Sequence, residues 1–292
     1  MPYSLKSYGL LETHAAVLLF GLSGLFAKWL SLPPSVIVLG RTFFAGIVLV
    51  LVLLYFRKSF QIHSKRDGIL FALSGAVLAL HWSTFFHAIQ LSSVAVGLLT
   101  FSTFPIFITF MEPYFFNETI RRFDVVTAIC VFIGLVLVIP DFDFENDVTQ
   151  GALWGTLSGL TFAILALINK KIVQTHSPIL VAAYQNIVAT SVLWPMAESM
   201  PWSHGMREML LLVVLGVLCT ALSHALFIRG LSQIKAQLAS IIACLEPVYG
   251  ILLAILFLRE IPTWRTLLGG AIILGTIVMA TVYTHKPTQT AV

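Results

Sequence analysis

The chain has 292 residues, 58% of them hydrophobic and only 10% charged, with a mean hydropathy of +0.95 and a formal net charge of +4. Soluble domains carry roughly a quarter charged residues, so this composition excludes a water-facing globular surface and points to one that meets lipid. The charge holds no basic run of the kind that grips nucleic acid. Cys130, Cys219 and Cys244, scattered through apolar runs, form neither a disulfide framework nor a metal site.

A helix crosses the hydrocarbon core with about 20 apolar residues. The apolar runs fall at 14–32, 36–56, 68–89, 93–112, 124–140, 151–169, 179–197, 208–228, 237–257 and 264–283. Each is apolar all round, and lipid offers the backbone no partner outside a helix. The expectation is an all-α membrane protein of ten transmembrane helices. The residues before the first run carry only Lys6 and Glu12 and no small-residue cleavage site, so that run is read as a retained span rather than a signal peptide. It contains Gly21-Leu22-Ser23-Gly24, similar to the Gly-x-Ser-Gly loop of intramembrane serine proteases. That chemistry needs a histidine at matching depth. Close helix packing explains the same residues.

Arg41 lies within the second span. It reads either as a bidentate clamp for a carboxylate or phosphate or as a pair that locks helices together. The third span carries His81, Trp82 and Thr84, with His87 near its outer end, and the eighth carries His224. A histidine in a span relays protons or binds substrate, or is satisfied by a backbone carbonyl. In the fourth span Thr100, Phe101, Ser102 and Thr103 precede Pro105, and in the ninth Ser240 and Glu246 precede Pro247. Proline lacks an N–H and clashes with the preceding turn, so each should break its helix near the midplane and free the carbonyls of Phe101 and Ala243. Paired breaks at mid-depth are a sequence pointer to a transport site. They are also compatible with packing kinks. The hydroxyls flanking them either bind solute or let helices pack closely. Glu246 is the one carboxylate placed near mid-membrane, where a charge costs roughly 2.5–3.5 kcal/mol on insertion scales. It suits a proton-sensitive or amine-binding group, or a structural ion pair. Glu118 and Glu260 fall at helix ends, where pairing with Arg121 or Arg265 is expected, and Glu112 is read as interfacial.

The two halves repeat. Pro105 and Pro247, Glu118 and Glu260, and Lys28 and Lys170 share an offset of 142 positions. Pro34 and Pro178 each open a second helix. Residues 1–147 and 148–292 are therefore read as two five-helix domains, joined through the acidic segment ending at Asp147. An odd number of spans per half makes the repeats inverted, the architecture of alternating-access transporters. With both termini in the cytoplasm, the inner segments take the clusters Arg57-Lys58, Lys65-Arg66, Arg121-Arg122 and Lys170-Lys171, and the outer ones keep only Lys28, Arg207, Arg259 and Arg265.

Phe104-Pro105-Ile106-Phe107 leading to Asn117-Glu118, Leu245-Glu246-Pro247-Val248 leading to Leu258-Arg259-Glu260, Arg41, and the glycines Gly269, Gly270 and Gly275 together resemble the EamA-type branch of the drug/metabolite transporter superfamily. The resemblance covers essentially the whole chain. It implies a central cavity and movement, mostly export, of small organic solutes such as amino acids and their relatives. The tryptophan-rich cavity frequent in that family is not repeated, Trp82 being the only tryptophan near mid-span. No nucleotide-binding loop is present, so the inner-membrane proton gradient is the expected energy source, with facilitated diffusion the alternative, no cofactor, and membrane lipids, protons and a small-molecule substrate as partners. A lipid or lipid-linked-sugar flippase is the alternative on the same fold. Oligomeric state is not fixed by the sequence.

Overall fold

A computed structural model describes residues 3–116, 120, 122–139, 143–196, 204–231, 233–234 and 236–284. Among them every regular element is helical: α1 (Tyr3–Trp29), α2 (Pro34–Tyr55), α3 (Lys65–Leu91), α4 (Val94–Phe101), α5 (Phe104–Phe116), α6 (Arg122–Val138), α7 (Asp147–Ile172), α8 (Pro178–Leu193), α9 (Met206–Gly216), α10 (Ser223–Leu231), α11 (Ala236–Ala243), α12 (Glu246–Leu258) and α13 (Trp264–Thr284). Seven stretches are long and apolar enough to cross a membrane, among them Val94–Phe115 and Met206–Gly230, and the apolar helices α8 and α12 are shorter. This is a multi-pass membrane protein.

Local chemistry sets the helix starts. Ser64 Oγ accepts from Asp67 N at 3.1 Å to cap α3, and Ser93 Oγ accepts from Val96 N at 3.2 Å to cap α4. Asn146 Oδ1 accepts from Val148 N at 2.8 Å to cap α7. Such caps satisfy N–H groups that have no intrahelical partner. Pro34 and Pro178 take first-turn positions, where the missing N–H costs nothing. The expected second-helix starts are thus observed.

The fourth-span interruption falls at Ser102-Thr103 and its counterpart at Cys244-Leu245. Pro105 and Pro247 each sit in the first turn of the helix that follows. The breaks therefore precede the prolines, because proline starts a helix more readily than it bends one. The eighth-span region differs from a uniform helix. Between α9 and α10, Val217–Leu222 is π-helical, and Thr220 Oγ1 donates to Leu215 O, five residues back, at 3.0 Å.

Packing exchanges partners between the halves. α1 lies against α10 and α12 while α7 lies against α3, α4 and α5; α2 meets α8, and α6 meets α13. Glycines permit two of these approaches. A Cβ on Gly21 of α1 would stand 2.8 Å from Glu246 O and Gly250 N of α12, and one on Gly134 of α6 would stand 2.9 Å from Gly269 O of α13. In membranes such close backbone contact supplies the association that hydrophobicity cannot.

Candidate functional site

Where α4 gives way to α5 and α11 to α12, the two interruptions and α13 enclose a cavity of about 420 Å³. Phe101, Ser102, Phe104 and Pro105 of the first interruption and Ala243, Cys244, Glu246 and Pro247 of the second line it, together with Thr127, Phe227, Thr276 and Thr281. Glu246 opens α12 and is half-buried. Among the described residues its carboxylate has neither an ion-pair partner within 4.0 Å nor a hydrogen bond. One turn on, Tyr249 OH meets His14 Nδ1 of α1 at 2.6 Å.

Arg41 is 3% exposed in α2. Its Nε donates to Thr220 Oγ1 at 2.7 Å and Nη2 to Cys219 O at 3.4 Å, and its guanidinium lies over the Trp82 ring at 3.8 Å. The π-helical turn sets Cys219 and Thr220 against the guanidinium. Arg41 and Trp82 do not line the 420 Å³ cavity.

His81 is buried between Phe101 and Phe162, with ring centroids at 5.3 and 5.1 Å. Its Nδ1 is 3.0 Å from Ser158 O and 2.9 Å from Ser158 Oγ. Donation from Nδ1 to the carbonyl leaves Nε2 as the basic nitrogen. His224 Nδ1 lies 2.7 Å from Thr220 O, and its ring meets Phe20 edge-on. It lines a second cavity, of about 260 Å³. His87 packs edge-on against Trp154. Thr100 Oγ1 donates to Val96 O at 2.7 Å and Thr103 Oγ1 to Thr100 O at 2.7 Å, so both hydroxyls satisfy their own chain. The side chain of Ser240 lies outside the described residues, as does Glu118.

The helix-end acids find lysines. Glu260 Oε1 is 3.9 Å from Lys28 Nζ, and Glu260 Oε2 accepts from Val94 N at 3.0 Å. The expected Arg265 partner is replaced because α1 ends against the α3–α4 turn, where Lys28 also donates to Ser92 O at 2.9 Å. Glu112 pairs with Lys170 at 2.5 Å. Ser23 is buried, and among the described residues no histidine is hydrogen-bonded to it. Sequence reasoning missed Tyr249 and His14. The signals were present: a tyrosine three residues after Glu246 shares its helix face, and a histidine within a span is rare.

The EamA-like transporter family profile matches residues 7–139 and, a second time, residues 149–282. The chain belongs to the EamA-like transporter family. With it comes membership of the drug/metabolite transporter superfamily and a role as a transporter rather than an enzyme. This EamA-like transporter is 27% identical over 246 residues to a protein of Rickettsia conorii named S-adenosylmethionine uptake transporter, covering 84% of this chain and 82% of that one. It is 25% identical over 282 residues to mouse solute carrier family 35 member G1, covering 90% and 75% respectively. A solved crystal structure superposes with a TM-score of 0.64 at 18% identity, over 97% of this chain and 98% of that one, which establishes the shared fold.

Proposed function

We propose that this EamA-like transporter moves a small organic metabolite bearing a positive charge across the cell inner membrane by alternating access, with Glu246 as the carboxylate for which substrate and proton compete. The observation that carries this is the Glu246 carboxylate, half-buried at a helix interruption on the wall of a 420 Å³ cavity and without an ion-pair partner among the described residues. A carboxylate within a span that lacks a partner is costly. A substrate cation and a proton are the two ways to neutralise it, and two conformations that expose the carboxyl to opposite sides turn that competition into coupling. Phe101, Phe104 and Phe227 add ring faces suited to an organic cation.

The architecture in this reading is ten spans as two inverted repeats, 1–147 and 148–292. The reciprocal packing of α1 with α10 and α12, and of α7 with α3, α4 and α5, supports it. Both termini are placed in the cytoplasm by the basic clusters, and the cavity then opens toward the inner face. An inward proton gradient acting on a shared carboxyl drives the substrate outward, so export is the proposed direction. The Rickettsia relatives are named for uptake, and the same competition runs inward when the substrate gradient dominates.

The test is flux in proteoliposomes with S-adenosylmethionine and an amino-acid panel, with and without an imposed pH gradient. Glu246→Gln keeps the shape and mimics the protonated group. It is expected to insert normally and to lose gradient-driven accumulation at least tenfold. Wild-type accumulation with an unchanged pH profile in Glu246→Gln would defeat the proposal.

A further inference from the structure

The second cavity, of about 260 Å³, shares no lining residue with the Glu246 site. It lies between α2, α8 and the segment from α9 to α10. Val52, Ile179 and Ile228 bring it to the end of the bundle where α2 stops, α8 starts and α10 runs out. Of the side chains that line it only His224 is polar, and its Nδ1 lies 2.7 Å from Thr220 O. The rest are aliphatic. Leu218, Leu222 and Ala225 of its lining are exposed, so it opens on the outside of the bundle, the surface that meets lipid. An aliphatic recess there offers a polar solute nothing to bond and fits a hydrocarbon chain.

A basic turn closes one end of the recess. α2 finishes in a Schellman motif, with Arg57 N donating to Leu54 O at 3.0 Å and Lys58 N to Leu53 O at 2.9 Å. These acceptors directly follow Val52, so the two basic residues stand within a turn of the cavity wall. Phe60 packs into the cluster of Leu49, Leu53 and Ala221, and its carbonyl accepts from Tyr184 Oη of α8 at 2.8 Å. Leu49 and Ala221 also line the cavity, so one packed unit joins the basic turn to it. Arg57 holds the left-handed position of the turn at φ 49°, where glycine is unstrained. The turn would close more easily around glycine, so the guanidinium needs another reason. Among the described residues neither Arg57 nor Lys58 has an ion-pair partner within 4.0 Å, whereas Arg229, next to Ile228, is paired with Glu12 at 3.0 Å. Tyr55 and Phe56 at the end of α2 are exposed, as aromatic residues at the headgroup level are.

We propose that this recess is a binding site for an anionic phospholipid, with one acyl chain in the cavity between α2, α8 and α10 and the phosphate on Arg57 and Lys58. The guanidinium and the ammonium supply charge-assisted bonds to phosphate oxygens, and the cavity supplies apolar burial. A zwitterionic headgroup brings its own cation, which the two basic residues repel. The lipid also lies against the π-helical turn. Val217, Leu218, Ala221 and Leu222 of that turn line the cavity, and its remaining residues, Cys219 and Thr220, are the ones that hold Arg41. The bound chain therefore supports the turn that positions a buried cation inside the bundle. The site does not depend on the role of Glu246.

The test uses the full chain, purified and delipidated in detergent, with retained lipid counted by native mass spectrometry and stability read by thermal unfolding. Phosphatidylglycerol is compared with phosphatidylcholine of the same chains and with glycerophosphoglycerol, which has the headgroup and no chain. Wild-type protein is expected to retain phosphatidylglycerol roughly tenfold more tightly than phosphatidylcholine and to be stabilised by it. Glycerophosphoglycerol should do neither. Arg57→Gln with Lys58→Gln should abolish the preference, whereas Lys65→Gln with Arg66→Gln, the neighbouring basic pair at the start of α3, should keep it. Ala225→Trp, which fills the recess from its exposed wall, should lose the retained lipid. Equal retention of the two lipids by wild type, or a preference that survives Arg57→Gln with Lys58→Gln, would overturn the site. Equal loss in the Lys65→Gln and Arg66→Gln protein would overturn it too, by assigning the effect to diffuse surface charge. Stabilisation by glycerophosphoglycerol matching that by the lipid would remove the acyl chain from the cavity. The wild-type comparison needs no variant, and the substituted residues are exposed, so a misfolded core would not rescue the proposal.

Discussion

Ser23 and Thr100 show how a polar side chain in a span can be spent on structure. Thr100 Oγ1 bonds to its own helix at Val96 O, and Ser23 is buried in α1 two residues after Gly21, which packs on Gly250. Ser23 Oγ makes no hydrogen bond among the described residues, and a buried hydroxyl of that kind contributes little when removed. Ser23→Ala is therefore expected to cost less than about 1 kcal/mol and to leave flux in proteoliposomes within twofold of wild type. A loss of flux matching that of Glu246→Gln would show that Ser23 takes part in the site. Arg41 and Glu246 differ from these residues because each carries a charge that its surroundings do not match.

Lys28, Glu260 and the start of α4 form a small assembly across the halves. Lys28 of α1 reaches the carbonyls of Gln90 and Ser92, and Glu260, beyond α12, accepts the Val94 N–H in the first turn of α4. The ion pair itself is partly solvated, with side chains 24% and 27% exposed. An exposed pair contributes about 0–1 kcal/mol, so the helix-capping bond and its position near the positive end of α4 matter more. Glu260→Gln keeps an acceptor and Glu260→Ala does not. The alanine variant is expected to be the less stable by about 1 kcal/mol, read as a lower unfolding temperature in detergent. It should also raise, several-fold, the labelling rate of a cysteine placed at Ser93. Equal behaviour of the two variants would mean that the cap does not hold these elements together.

For the whole molecule, the proposed orientation rests on charge rather than on packing. Phe144, 72% exposed between α6 and α7, and Gln61, exposed between α2 and α3, are placed on opposite sides of the membrane by the proposed topology. In a background lacking Cys130, Cys219 and Cys244, Phe144→Cys is expected to react with a membrane-impermeant thiol reagent in intact spheroplasts, and Gln61→Cys only after lysis. The reverse pattern would invert the molecule and turn the 420 Å³ cavity toward the outer face. Labelling of both in intact cells would indicate insertion in two orientations.

The sequence by itself determined the membrane class, the apolar runs that form the helices, the second-helix starts at Pro34 and Pro178, and the repeat. Hydropathy, proline placement and duplicated positions are properties of short stretches and survive without knowledge of the fold. It also singled out Glu246 and Arg41, because a charge within an apolar run is conspicuous in one dimension. Only the tertiary structure decided their company. Arg41 meets Thr220 and Trp82, Lys28 meets Glu260, and His81 meets Ser158, in each case across helices far apart in the chain. Runs that are apolar on every side carry no amphipathic stripe to say which face turns inward, so the pairing of faces waited on packing. The π-helical turn at Val217–Leu222 was invisible for the same reason. Its extra residue per turn is fixed by what the turn packs against, where Cys219 and Thr220 reach Arg41, and not by the propensities of Val-Leu-Cys-Thr-Ala-Leu.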